Sequence, residues 1–342
     1  GVAGFPNGEV YRISDANPHV YIGRAYLKQI IPLSKEYEKA EDKANQLSGP
    51  TPTSYISIAA GKYSIMDFFD NNTYSHDPRT QFYNWALMGN GAWDYPANTR
   101  GYTYGLTFEL VKPEWAVRFA TVMVPKTANG YIMDSKISRS HSETLEFEKR
   151  YNLNGQKGTL RMISFLNNAR MGSYKEALQW GISHNQAPQV DSTHVLGNTK
   201  FGLGLNIEQQ INKYTGIFFR AGWNDGKNQT WAFTEIDRTI SAGIALNGGL
   251  WKRNDDTFGF ALIANGLSKD HKNYLKAGGY GFIIGDGTLN YRPEMISEIY
   301  YSFRLSNYPM WLSPDYQLIL NPAYNNDRGP VHALGIRMHI EL

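Results

Sequence analysis

Arginines and glutamates recur on the same side of an alternating pattern along much of this chain. Arg118, Arg150, Arg161, Arg220 and Arg304 share polar faces with Glu109, Glu146, Glu148, Glu208 and Glu298. An unpaired charge in a confined wet space is expensive, so mixed signs pair, and structural bracing is the reading to beat for most of them. Where guanidinium planes and carboxylates meet at a narrow point they also hydrogen-bond vicinal hydroxyls. A second group sits in or beside the segment from Ser64 to Arg100, namely Lys62, Asp70, Arg79, Trp85, Trp93, Asp94, Tyr95 and Arg100. Its aromatic members, Trp85, Trp93 and Tyr95, are candidate platforms for the CH faces of a pyranose. Both signs in near balance suit neutral polar solutes better than anions or cations. Among these residues, Lys62, Asp70, Arg79, Asp94 and Arg100, with Arg118, Arg161 and Arg220 of the strands, are the expected constriction set.

The chain offers no enzyme motif: no phosphate-binding loop, no His-Glu-x-x-His, no Gly-x-Ser-x-Gly and no metal-spaced Cys/His set. No catalysis, cofactor or metal is expected. Its eight histidines are scattered, and structural or solvated roles are preferred for them. Gly202-Leu203-Gly204 lacks a third glycine and lies within a strand pattern, so it is read as a small-residue wall. Asn325-Asn326-Asp327 would supply oxygens to calcium, but a turn is the preferred reading.

The elements that must carry these residues are strands. From Ala333 the end of the chain alternates strictly, with Leu334, Ile336, Met338, Ile340 and Leu342 against Gly335, Arg337, His339 and Glu341. Successive side chains of a strand point to opposite faces, whereas a helix would mix the two sets. The same period recurs in about thirteen segments. It begins at Val20 to Ile31 and includes Tyr102 to Leu110, Trp115 to Met123, Phe201 to Ile207 and Ile217 to Trp223. A strand is also expected at Tyr280 to Ile284. Short helices are expected at Lys35 to Lys39, at Tyr174 to Trp180, and after Ser268 as N-cap with Gly278 past the end. Tight turns such as Lys112-Pro113-Glu114 and Asn154-Gly155 alternate with long polar loops, the rhythm of a membrane barrel.

Composition agrees. Formal net charge is +3 over 342 residues, too balanced to argue for a nucleic-acid partner. Aromatics reach 14%, with 23 Tyr, 8 Trp and 33 Gly, a mixture that suits aromatic girdles and many turns. Cysteine is absent, which excludes disulfides. No apolar run approaches about 18 residues, so no helical membrane span is expected. A mean hydropathy of −0.46 leaves an alternating membrane barrel open. Gly1 to Phe5 has neither the basic start nor the apolar core of a signal peptide, so the chain is expected to lack an N-terminal segment.

Alternation alone does not say which face points inward. The polar faces mix single charges with Gly and Ser, as a wet lumen does. Trp115, Trp223, Tyr102 and Trp311 stand near strand ends, as interface belts do. So many strands would leave costly free edges in an open sheet. The expected fold is therefore an all-β, closed antiparallel transmembrane barrel. It forms a single domain over residues 1–342, with a constriction loop at 64–100. Outer-membrane lipid and neutral solutes are its expected partners, as a monomer or a homotrimer. A general or anion-selective porin, a lectin or enzyme on a barrel, and a soluble β-rich binding protein are the alternatives.

The chain resembles the OprB family of carbohydrate-selective porins. The residues that carry the resemblance begin with Gly61-Lys62-Tyr63-Ser64, Asp67-Phe68-Phe69-Asp70, His76-Asp77-Pro78-Arg79, Phe82-Tyr83-Asn84-Trp85 and Trp93-Asp94-Tyr95-Pro96. They continue through Arg220-Ala221-Gly222-Trp223-Asn224-Asp225-Gly226, Phe233-Thr234-Glu235-Ile236-Asp237-Arg238 and Gly285-Asp286-Gly287. Asp315-Tyr316-Gln317 and the run from Asn321 to Pro330 complete the set. The resemblance implies about sixteen strands in the complete protein, long loops folded inward on one side, and a Gram-negative outer membrane. It also implies passive diffusion of monosaccharides or small oligosaccharides. The chain departs from the pattern at its start, where family members carry a signal peptide and more strand-forming sequence, and at Leu342, where such barrels commonly end in Phe.

Overall fold

The computed structural model describes residues 20–42, 46–305 and 308–341. The first wall strand is β1 (Ala25–Pro32), and a small separate hairpin of β2 (Tyr37–Ala40) and β3 (Gly49–Pro52) follows it. The wall continues with β4 (Tyr55–Tyr63), β5 (Thr103–Val111), β6 (Trp115–Met123), β7 (His141–Leu153), β8 (Gln156–Ala169) and β9 (Asn198–Asn212). It ends with β10 (Thr215–Asn224), β11 (Arg238–Asn247), β12 (Thr257–Gly266), β13 (Glu294–Arg304), β14 (Met310–Leu320) and β15 (Val331–Ile340). These thirteen wall strands form one sheet in which each pairs antiparallel with the next along the chain. Short turns, such as 112–114 and 154–155, gather at one end. Long segments at 64–102, 124–140, 170–197 and 267–293 leave from the other.

The two faces are sharply different. Leu145, Leu203 and Leu262 are 48%, 58% and 55% exposed, whereas Glu146, Arg220 and Glu298 are 0% exposed. The oily half of each strand therefore points out and the charged half points in. A continuous exposed apolar wall of this extent marks a lipid-facing surface.

Contacts to a single loop show that the sheet is curved. Laid flat, thirteen strands would span about 58 Å. Yet the segment 64–102 meets both ends of the strand order. Its Asp67 accepts from Arg24, just before β1, at 2.8 Å, while Arg337 of β15 donates to the carbonyls of Pro78 and Gln81 at 2.8 and 2.7 Å. The wall wraps around the loop and the loop fills its interior.

Three α-helices lie among the connections of the described residues. α1 (Trp85–Met88) belongs to the inward loop, and α2 (Tyr174–His184) packs with α3 (Lys269–Lys276) at the long-loop end. The helix at Tyr174 extends further than the sequence suggests, and Ser268 caps α3 by accepting from the His271 amide. The expected helix at Lys35 to Lys39 is instead strand β2, because Glu36 and Leu33 pair backbone groups with Thr53 and Ser54 across the hairpin. The expected strand at Tyr280 to Ile284 does not form. The Glu235 carboxylate accepts the Ile283 and Ile284 amides at 2.8 and 2.9 Å, taking donors that a neighbouring strand would need. Pairing of β1 starts at Ala25 rather than Val20. Asn325-Asn326-Asp327 is a turn, with the Asp327 amide donating to Asn325 Oδ1 and the Asn290 amide group donating to Asp327 Oδ1. Two residues assigned to the lipid belt point inward. Tyr102 is buried, and Trp311 shares the inner face with Ser313, Asp315 and His339. Gly1 to Phe5 and Leu342 lie outside the described residues.

Candidate functional site

Strand register assembles the inner charges into a belt. Glu109 stands opposite Arg118, Arg118 opposite Glu146, Glu148 opposite Arg161, and Asn206 opposite Arg220 on successive strand pairs. Arg118 contacts Glu109, Glu146 and Glu148 at 3.2, 2.9 and 3.0 Å. Arg161 continues to Glu148 at 2.9 Å and Glu208 at 3.4 Å, and Lys28 of β1 closes on Glu109 at 3.1 Å. With so many carboxylates and guanidiniums facing one another, their leftover hydrogen-bonding capacity is what can hold other groups.

That capacity holds the loop. Glu146 accepts the Asp70 amide at 2.7 Å and Glu208 accepts the Thr73 amide at 2.5 Å. Glu298 accepts the amides of Tyr83 and Asn84. Arg220 is wholly buried. It ion-pairs with Asp70 at 3.2 Å and donates to the carbonyls of Leu87 and Ser75 at 2.8 and 2.7 Å. Asp70 has a left-handed φ of 54°, a conformation Asp tolerates better than most residues, and this turns the chain back so both its carboxylate oxygens face the wall. Gly222 and Gly204 leave the space that Asn90 occupies. A Cβ on Gly222 would lie 1.9 Å from Asn90 Oδ1. The small-residue wall is thus the seat of the loop.

Lumen space remains beside the loop. An open cavity of about 120 Å³ is lined by Arg24, Asp67, His76, Asp77, Arg79, Tyr95, Arg100 and Tyr102, with neighbouring apolar atoms. Arg79 grips Asp77 through two hydrogen bonds, at 2.8 and 3.1 Å. Burial alone would raise the Asp77 carboxyl, but the hydrogen bonds and charge of Arg79 outweigh it and leave it below the usual value. Burial lowers His76, and the nearby Arg220 charge lowers it further. The neutral ring sets its Nδ1 3.1 Å from the Met88 carbonyl. Burial raises the Tyr95 hydroxyl, so it stays a neutral donor. Arg100 lies over the rings of Tyr21 and Tyr131, 4.4 and 5.7 Å from their centroids. This setting offers fixed donors, acceptors and ring edges of both charge signs to a polyhydroxylated solute.

Of the residues chosen from the sequence, the structure brings Arg79, Tyr95 and Arg100 together at this cavity. Arg220 anchors the loop through the loop's own Asp70, and Arg118 and Arg161 stand behind it, bracing the Glu146 and Glu208 carboxylates that accept its amides. Asp94 is buried, and its carboxylate accepts the amides of Trp231, Ala232 and Phe233 at 2.8, 2.8 and 2.9 Å, tying the inward loop to the 225–237 loop. Trp85 stacks on Phe233 at 5.8 Å and Trp93 is 1% exposed against Phe69 and Tyr95, so both are packing residues here. Lys62 falls on the outward face, opposite Tyr104, with its Nζ over the rings of Tyr21 and Tyr104. The constriction set chosen from the sequence omits Arg24, Asp67, His76 and Asp77. The clue for Arg24 was present, since it alternates with Tyr26 and Lys28 on the polar side of β1.

An antiparallel wall with oily outside and charged inside, narrowed by an inward loop, defines an outer-membrane β-barrel channel. The model of the family described as carbohydrate-selective porin, OprB family, matches residues 5–342, and the chain belongs to that family. Among solved structures, a high-pH structure of Pseudomonas putida OprB matches with a TM-score of 0.60 and 17% identity, covering 83% of this chain and 68% of that one. A low-pH structure of the same protein matches with a TM-score of 0.45 and 13% identity, covering 85% and 67%. An OccD1 (OprD) variant matches with a TM-score of 0.38 and 9% identity, covering 86% and 74%. No curated protein matches. The first likeness supports the barrel fold, and the family supports passage of sugars across an outer membrane.

Proposed function

We propose that monosaccharides or small oligosaccharides diffuse through the lumen and are selected at the cavity beside the 64–102 loop. The observation that carries this reading is the mixed-sign lining of Arg24, Asp67, Asp77, Arg79 and Arg100 beside Tyr95 and Tyr102. Neutral polyols can use every one of these groups, whereas an ion of either sign meets a like charge. Asp70 of the loop, its partner Arg220, and Arg118 and Arg161 behind Glu146 and Glu208 act on selectivity through the seating of the loop, and Lys62 has no part in it. The constriction spans residues 64–102 within a single barrel domain.

Liposome swelling with sugars of graded size tests it. Arg79→Ala and Arg100→Ala should each speed uptake of the larger sugars and flatten the size dependence. Unchanged uptake in both variants removes the cavity from the selectivity account. Three arginines against two aspartates leave a one-charge positive excess. A weakly anion-selective general porin is therefore the second reading, and reversal potentials in a salt gradient separate the two.

A further inference from the structure

We propose a second pyranose-binding subsite at the short-turn mouth of the lumen, between the tip of the 64–102 loop and the wall of β9 to β13. It rests on reading the chain as a sugar porin, but on different residues from the cavity just described. A cavity of about 320 Å³ opens there, larger than the one of about 120 Å³ beside the loop. It reaches the lower end of the size range, about 300 Å³ and up, in which proteins hold small ligands.

Its chemistry is unlike that of the constriction. Lys213 is the one charged residue lining it, and its Nζ lies over the ring of Tyr214 at 4.5 Å. The remaining polar lining is hydroxyl and amide. Among the described residues, the side chains of Tyr74, Thr80, Gln210, Tyr214, Thr215 and Thr257 line it without a hydrogen bond to the protein. Uncommitted neutral donors and acceptors match a polyol, whereas an anion finds a counter-charge only at Lys213 and a cation finds none.

Two rings in the cavity are held in place. Tyr74, at the loop tip, lies against the bare Cα of Gly216, where a Cβ would come within 2.0 Å of its ring. Tyr300 is 2% exposed and braced edge-on by Phe82 at 4.9 Å. The half-buried Tyr74 ring beside free hydroxyls provides a CH-stacking face and hydrogen bonds in one enclosure, and Tyr300 forms a fixed part of its wall. A solute leaving the constriction would be held here before release, on the side that outer-membrane barrels turn toward the periplasm.

The absence of cysteine makes the test direct. Thr257→Cys places a single thiol in the cavity, Thr215→Cys does the same from β10 should the first variant fold poorly, and Asn154→Cys in the β7–β8 turn is the control. Modification of the purified full chain by a small charged thiol reagent is timed with glucose, and with betaine at the same osmolality. Glucose should slow the cavity thiol but not the control, and betaine should slow neither. Adding Gln210→Ala should raise the half-protecting glucose concentration about fivefold, the loss of roughly one hydrogen bond. If glucose leaves the cavity thiol rate unchanged while wild-type liposomes still swell in glucose, the subsite is refuted and the porin reading stands. If wild-type liposomes do not swell in any sugar, both fall.

Discussion

Replacing Arg220 by alanine should release the inward loop while leaving the barrel standing. Arg220 is 0% exposed and serves five acceptors of the loop: the Asp70 carboxylate, the Ser75 hydroxyl, and the carbonyls of Asp70, Ser75 and Leu87. Asp70, itself buried, would keep the Asn206 amide at 2.7 Å and the Asn90 amide at 2.6 Å but lose its cation. Removing one partner of a buried ion pair costs about 3–5 kcal/mol, because the other charge is stranded. That shifts the loop's bound-to-released ratio by roughly 2 to 3.5 powers of ten. In planar bilayers the variant should show larger single-channel conductance and frequent open-state noise, and protease should cut near Asp77 to Arg79. Arg220→Lys should recover little, since one ammonium cannot reproduce the planar fork that meets carboxylate and carbonyls together. The wall ladder from β9 to β11 is backbone-bonded and should survive, visible as unchanged heat-modifiability in gels. Wild-type conductance, noise and protease resistance in Arg220→Ala would refute the claim that the belt exists to hold the loop.

Three further outcomes follow from the same geometry. His76 is held neutral with its pKa lowered, so its contribution to loop anchoring is complete above about 6.5, its ordinary value, and declines as pH falls toward the lowered one. Channel noise should therefore rise on acidification from pH 7 to 5 in the wild type and rise less in His76→Asn; equal responses would count against it. Gly222→Ala pushes a Cβ to 1.9 Å from Asn90 Oδ1 and should weaken loop seating by about 1–3 kcal/mol, seen as intermediate noise between wild type and Arg220→Ala. Leu262→Arg on the outer face should lower barrel stability in lipid by about 2–4 kcal/mol in urea titrations, and a neutral effect would contradict the assignment of that face to lipid.

How much of this was readable in the sequence depends on the range of the interaction. A period of two is a local property, fixed by where successive Cβ atoms point. The strands, their two faces and the tight turns could be read directly, as could the long gap at Ser64 to Arg100. Arg118 and Glu146 could be assigned to a polar face for the same reason. The Ser268 cap needed three residues and was equally visible. Two local readings failed: the helix at Lys35 to Lys39, which pairs across a hairpin instead, and the strand at Tyr280 to Ile284, where a distant carboxylate, Glu235, took the amides that alternation had reserved for a sheet.

Which charges face solute was beyond local reading, because it depends on where one loop lies against thirteen strands. Arg220 and Arg79 are the same residue type, yet the first is sealed under Asp70 and the second lines the cavity with Asp77. Lys62 sits one residue before Tyr63, which is buried on the inner side, and so it falls on the outer wall. The alternating sequence by itself determined a membrane wall with an oily and a charged side. Only the tertiary structure decided that Glu146, Glu208, Glu298, Arg220 and Arg337 grip backbone amides and carbonyls of the loop, since long-range hydrogen bonds between a loop and strands up to 259 residues away leave no periodic trace along the chain.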